Sequence, residues 1–562
     1  MQPIGYVRRA WSVPSSARSI APIVRICAGI AAAASLIGGA SREASAATYY
    51  VDAVRGSDVN AGTSPQTAWR SLQRANRTVL RPGDDLRLHG EQRFAAPLII
   101  GSSDAGDPRR PVTITSYASG MATIVARATD GVTVDRTAGV RIERLAVVGS
   151  GSTTSNPGIG VHAFATGDGP RLDTLHFADL NISGFRSGGL QVEATGFGGF
   201  TNVKIERVTA HNNGDFGIDF VGRYVTRQEG NLPYSHTHVL VTDSTAYRNN
   251  GDPSTGQNTG SGILLGQVQD GVIRYCSAYA NGGRGRNVGG GPVGIWAFDA
   301  NRILIEHNVS YDNLSQPAGP SGMDGDGFDF DGGTSDSLMQ YNYSRNNQGA
   351  GYLLTQFAGA RPFTRNLLRF NVGEDDATGI GSYVDPGDVI QRTVFDNNTI
   401  YTTGGADTVQ ILPFGAYDGV AFHNNVLLNG GNGHVVNTQI TRGIALQGNL
   451  YWAYGGRDFN VEWGSRTYRT LAAWRSASGV EVLDGHATGF DEDPRLNAPG
   501  RGGVIADPHR LAELTAYRLS RQSRIGRAGL DLQRLFGIPI GPTDFYGFAI
   551  PESAPPVGAA SR

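Results

Sequence analysis

The chain of 562 residues is poor in lysine, cysteine and charge. Lys204 is its one lysine, so nearly all positive charge is arginine. Charged residues make up only 17%, and the net charge is −2. Such a chain lacks the basic field that attracts nucleic acid, and nucleic acid is not expected as a partner. Two cysteines occur, Cys27 and Cys276. Long apolar runs are scarce as well. The run "ICAGIAAAASLIGGA", Ile26 to Ala40, is about fifteen residues, short of the roughly twenty that span a bilayer. Arg8, Arg9, Arg18 and Arg25 precede it, and Ala44 to Ala46 follow as an A-x-A cleavage pattern. Residues 1–46 therefore read as a signal peptide, and Arg8-Arg9 is compatible with twin-arginine export. The mature protein is expected to be secreted or periplasmic, monomeric and free of the membrane. Cys27 leaves with the signal, so Cys276 remains alone and no internal disulfide forms. Stability must then come from the core and from backbone ladders.

Glycine, by contrast, is abundant at 79 residues, and hydrophobic residues make up 39%. That composition gives many turns, few long helices and a large β-rich body. The middle of the chain repeats itself. Aligned on a glycine, the segments are "GLQVEA" from Gly189, "GIDFVG" from Gly217, "GILLGQ" from Gly262, "GIWAFD" from Gly294, "GFDFDG" from Gly327 and "GYLLTQ" from Gly351. Each repeat has a second strand-like stretch ending in asparagine. Two asparagine columns emerge: Asn308, Asn342, Asn371, Asn398, Asn425 and Asn449, and Asn213, Asn249, Asn281, Asn313 and Asn347. Short strands with a stacked amide at each turn predict a solenoid whose coils bury one another. Each amide can bond to the coils above and below. Cys276 falls in the Asn308 column and reads as a packed structural thiol. We expect residues 47–125 to form an N-terminal cap and the first coils. The solenoid should run over 126–452, followed by a C-terminal cap and tail over 453–562. Trp69, Leu72, Ala75 and Val79 have helical spacing, stopped by Pro82-Gly83. The closing Pro/Ala segment is expected to be disordered.

The opening "YYVDAVRGSDVNAGTSPQTAWRSL…LRPGDDLRL", the repeated coils and the closing "DFYGFAIP" resemble a known family. This is the secreted right-handed parallel β-helix group of carbohydrate-active proteins, pectate-lyase-like and built from PbH1-type repeats. The resemblance covers nearly the whole mature chain. It implies an all-β, right-handed parallel β-helix with a helical N-terminal cap and an irregular C-terminal cap. The same opening occurs in β-helical glycoside hydrolases of xylosidase-like and fucosidase-like groups, in some pectate lyases and in proteins without known activity.

Strand alternation sorts the glycine-anchored strands. Residues one and three after the glycine are apolar and fill the interior. Residues two and four after it face out, and these include Glu193, Asp219, Trp296, Phe298, Asp329 and Asp331, with His162 on an earlier coil. Aromatic rings beside carboxylates suit a sugar-binding cleft, because a flat apolar platform and a few polar groups fix a sugar ring. Insertions such as Gly222 to His236 flank this face and bring Arg223, Arg227, Arg284 and Arg286.

Three functions stay open at this point. A glycoside hydrolase needs an acid and a second carboxylate. Asp329 and Asp331 lie two residues apart on one face, with Cα atoms roughly 6.6 Å apart. Trp296, Phe298, Asp219, Glu193, His162 and Arg223 would then bind the oligosaccharide or polysaccharide, and no cofactor is needed. A uronate lyase would use Ca²⁺, with Asp324 and Asp326 as further oxygen ligands and an arginine such as Arg223 as base. Neither an EF-hand spacing nor the Asp-Asp, Gly-His-Gly and Arg-Ile-Lys set of polygalacturonases is present. The third possibility is a carbohydrate-binding β-helix without catalysis. Asp336 lies beyond the strand and is not a catalytic candidate.

Overall fold

A glycine at the head of each repeat and an asparagine at each corner belong to one packing arrangement. The computed structural model describes residues 45–562 except 105, 154–156, 256, 286–289, 317–323, 456 and 552–553. The expected signal peptide lies almost wholly outside the described residues, as do Arg286 and residues 321–323. Each middle coil adds one strand to a 14-stranded sheet and two to a larger 25-stranded sheet, counted among the described residues. One turn runs Ser261–Gly266, Val268–Arg274, Ser277–Tyr279 and then Val293–Phe298 in the next coil. Pairing along the solenoid is parallel, with Ile218, Ile263, Ile295, Phe328, Tyr352 and Ile380 in register. The chain is a parallel β-helix, and the expected interior columns are fully buried.

Corners of the coil are made by residues with positive φ. Tyr275, His307, Tyr341 and Phe370 have φ of 50–57°, and each precedes a member of the ladder. This left-handed conformation costs about 1–2 kcal/mol for a residue with a Cβ. The ladder offsets that cost. Asn308 Nδ2 donates to Asn342 Oδ1 at 3.0 Å, and the chain of amides continues through Asn371, Asn398, Asn425 and Asn449 at 2.9–3.0 Å. The second column runs the same way from Asn213 to Asn347 at 2.9–3.1 Å. Each ladder ends on a carboxylate that only accepts: Asp376 for the second and Glu481 for the first, at 2.8 and 2.9 Å. Cys276 begins the first ladder as expected, its backbone N–H donating to Asn308 Oδ1 at 2.9 Å.

The glycines are explained by the same amides. A Cβ at Gly189, Gly217, Gly262, Gly294 or Gly327 would lie 2.7–3.2 Å from an asparagine Nδ2 of the second ladder. It would also lie 2.3–2.8 Å from the carbonyl oxygen of the next coil's glycine. Only a residue without a side chain lets the strand pass this close to the ladder.

Both ends differ from expectation. The N-terminal helix covers only Leu72–Ala75, because Ser71 caps it by accepting from Arg74 N. Trp69 instead forms a β-bridge to Val51 and stacks on Tyr49, and Val79 is exposed. At the other end, the helix Leu471–Ser478 buries Trp474 against Tyr451 and Trp463. The chain then turns back along the outside of the larger sheet. Tyr343 donates to Gly503 O, Tyr517 to Glu374, and His509 meets Asp243 at 2.7 Å. The closing segment is not disordered. Val557, Ala559 and Ala560 are buried, and the Asp544 carboxylate accepts from Ser561 N and Oγ. Small apolar side chains fit under the sheet's outer face, which a reading of composition does not reveal.

Replacing Asn371 by Ala removes one rung and leaves the neighbouring amides unsatisfied. We expect a loss of about 2–4 kcal/mol, read as a lowered urea midpoint for the transition that includes the middle coils. Burial raises the Cys276 thiol to about 12, so native protein should not react with a disulfide reagent at pH 8 until urea unfolds it.

Candidate functional site

The register of the 14-stranded sheet fixes what lies beside what. Its outer face carries a column formed by Gln191, Asp219, Leu264, Trp296, Asp329, Leu353, Gly381 and Gln410. Coils rise about 4.8 Å each, so Asp219 lies roughly 14 Å from Asp329, as the spacing predicted. Phe298 lies two residues further along, at the end of the strand Val293–Phe298.

This face is less open than expected. Trp296 and Phe298 are only 2% and 5% exposed, so they are not open platforms. Tyr224 stacks on Phe298 with centroids 5.6 Å apart, and Phe357 lies 5.7 Å from the same ring. The insertion after Val221 folds back over the sheet edge and covers them. It is held by a buried arginine: Arg361 pairs with Asp299 at 2.9 Å, lies over the Tyr234 ring and donates to Leu232 O. Thr226 bridges Ala360, and Arg227 pairs with Asp388. Tyr224, Asp299, Arg361 and Asp388 escaped the sequence reading. Their signal was the length of the insertion, which shows that a wall exists and not where it folds.

Four carboxylates crowd the middle of this face. Asp326 and Asp329 are buried, at 1% and 3% exposure, while Asp324 and Asp331 are half-buried. Asp326 accepts from Ala350 N at 2.6 Å. Asp331 accepts from Gly332 N at 2.6 Å. Burial, reinforced by the Asp324 and Asp385 carboxylates, pushes Asp331 up to about 7, although the Gly332 N–H works against it. Burial and the neighbouring acids raise Asp329 and Asp326 well above the usual carboxylate range, and burial raises Asp324. Among the described residues, Asp329 Oδ1, Trp296 Nε1 and Gln191 Oε1 have no hydrogen-bond partner. Among them, too, no group of three His, Cys, Asp or Glu is placed to hold a metal ion.

The remaining expected residues separate. Gln191 Nε2 donates to Asp219 Oδ2 at 2.7 Å. His162 lies between Asp130 and Glu193, 3.0 Å from each. Burial opposes its charge, but the two carboxylates hold its pKa up at about 9. It lies five coils from Asp329, roughly 24 Å away. Arg223 pairs with Glu229 and covers the Phe197 ring. Arg284 makes a backbone bond to Asn250 O. Asp336 pairs with Arg365 on the surface and takes no part.

No protein-family model matches the chain. It is 24% identical over 490 residues to the lacto-N-biosidase of Bifidobacterium longum, covering 70% of this chain and 29% of that protein. The chain thus spans less than a third of that relative's length. A shorter match, 36% over 66 residues, links 12% of the chain to 11% of the alpha-1,3-galactosidase A of Akkermansia muciniphila. Among solved structures, the GH136 lacto-N-biosidase from Eubacterium ramulus superposes with a TM-score of 0.51 at 20% identity, over 65% of each chain. That likeness supports the fold.

The raised Asp331 has a consequence for stability. Its folded pKa near 7 lies above the ordinary value of 3.8, so the folded state binds its proton more tightly than the unfolded chain. Its favourable contribution is complete below pH 4 and is lost as pH rises through 7. Asp331→Asn should therefore raise the Tm at pH 8 and change it little at pH 4, as measured by calorimetry at both pH values.

Proposed function

We propose that the chain is an exported glycoside hydrolase acting on oligosaccharide or polysaccharide chains, with Asp324 and Asp331 as its working carboxyls. The observation that carries this is the division of the acidic cluster. Of the four carboxyls, only these two combine partial exposure with a raised pKa. Hydrolysis of a glycosidic bond needs one carboxyl that still holds a proton near neutrality, for the leaving oxygen. It needs a second, ionised one as base or nucleophile. Crowded carboxyls in a partly dry site meet that need, because the first to ionise keeps its neighbour protonated. Asp329, first placed with Asp331 on spacing alone, lies beneath the surface. Its role here is to support the pair from below, next to Trp296.

The similarity to a lacto-N-biosidase supports the reaction class and makes an aryl lacto-N-bioside the first probe. A lyase is less well supported. Arg223 is engaged by Glu229 and Phe197, and Lys204 lies on the other sheet beside Glu206. A calcium site at Asp324 and Asp326 has little support, since Asp326 is buried and accepts from Ala350 N.

The test is a panel of 4-nitrophenyl glycosides, including the lacto-N-bioside, together with polysaccharides. Reducing ends and ultraviolet-absorbing unsaturated products are scored in parallel. Reducing ends alone are expected, unaffected by a chelator. Asp331→Asn and Asp324→Asn should each lower kcat/KM by roughly 10²–10⁴-fold, with a smaller loss for Asp329→Asn. Full activity in Asp331→Asn would discard the assignment, as would a chelator-sensitive unsaturated product.

A further inference from the structure

The outer column of the 14-stranded sheet does not end at the acid pair. Beyond Asp329 it continues through Leu353, Gly381 and Gln410. Gly381 lies two coils past Asp329, about 10 Å along the axis. That is roughly the length of a disaccharide.

Two aromatic rings stand at this level. Tyr383 lies two residues past Gly381 on the same strand, and its ring centroid is 5.9 Å from that of Phe414, at an angle of 59°. Phe414 is 43% exposed, unlike the covered Trp296 and Phe298. The Tyr383 hydroxyl donates to Asp385 Oδ1 at 2.8 Å, and the same carboxylate accepts from Ala358 N. The ring is therefore fixed at its polar end and carries its apolar face to the surface. Asp385 also contributes to the raised pKa of Asp331, which places this aromatic pair within electrostatic reach of the acids.

We propose that Tyr383 and Phe414 form a sugar subsite beyond the acid pair. It would seat a pyranose ring of the oligosaccharide against the exposed Phe414 ring. This rests on the hydrolase reading for the placement of the cleaved bond, and its test is separable from that reading. Full-length Asp331→Asn protein is applied to arrayed hexasaccharides of xylan, mannan, galactan and lacto-series type, and the best-retained one is carried forward for titration. Adding Phe414→Ala should weaken its binding about tenfold, the effect of stripping one apolar face from a sugar ring. Tyr383→Ala should do the same. Tyr383→Phe, which keeps the ring, should bind within twofold of the parent, and so should the remote surface variant Val59→Ala. Because Phe414 is exposed, its variant should unfold at the parent's temperature, so weakened binding is not misfolding. Retention of no hexasaccharide, or binding unchanged by Phe414→Ala, overturns the subsite. If Asp331→Asn still releases reducing ends, the acid assignment falls, while the Phe414 comparison still decides the subsite.

Discussion

Everything else in this protein depends on the amide ladders. An asparagine at a corner does two things at once. Its preceding residue takes the left-handed conformation that turns the strand, and its amide bonds to the next coil at 2.9–3.1 Å. A single such bond contributes only about 1 kcal/mol net, but a buried amide missing its partner costs more than that. The ladder is therefore self-enforcing: each rung makes its neighbours expensive to replace. The carboxylates Asp376 and Glu481 mark where it stops, since an acceptor without an N–H needs no further rung. Glycine follows from the same geometry, because a Cβ at the strand head would collide with the amide.

A rigid ladder inside fixes a rigid register outside. Strand pairing places Asp329 beside Trp296 because Ile295 and Phe328 are locked in the interior column. The site is thus built on the scaffold's regular part, with loops adding only walls. This separates the two kinds of side chain found there. Floor residues such as Trp296 and Asp329 are held by strands. Wall residues such as Tyr224 are held by the buried Arg361–Asp299 pair, at the end of an insertion. Burial raises Asp299 to about 6 even against the arginine, so the pair serves the wall through geometry more than through net charge energy.

Much of this was legible in the residues. The period-two alternation sorted Phe328 and Phe330 inward and Asp329 outward, and the asparagine columns appeared in the right members and order. Register followed from aligning glycines. What was not legible depends on contacts between parts far apart in sequence. Nothing local to Trp296 shows that Tyr224 and Phe357 will cover Phe298 beside it. Nothing in a Pro/Ala-rich ending shows that Val557 will dock beside Val426. Alternation tells which face a side chain takes. It is silent on what another segment lays over that face, and burial of Asp329 against partial exposure of Asp331 is such a difference.

That difference also explains how four acids coexist on one sheet face. Four ionised carboxylates crowded into this half-buried cluster would repel strongly. The cluster is tolerable because burial keeps the inner members largely neutral, Asp326 and Asp329 having pKa values raised well above the ordinary range. A neutral carboxylic acid is a hydrogen-bond donor as well as an acceptor. The ladder makes this arrangement stable: a fluid core would relax by moving the acids apart, whereas strands pinned by amides every coil hold them together.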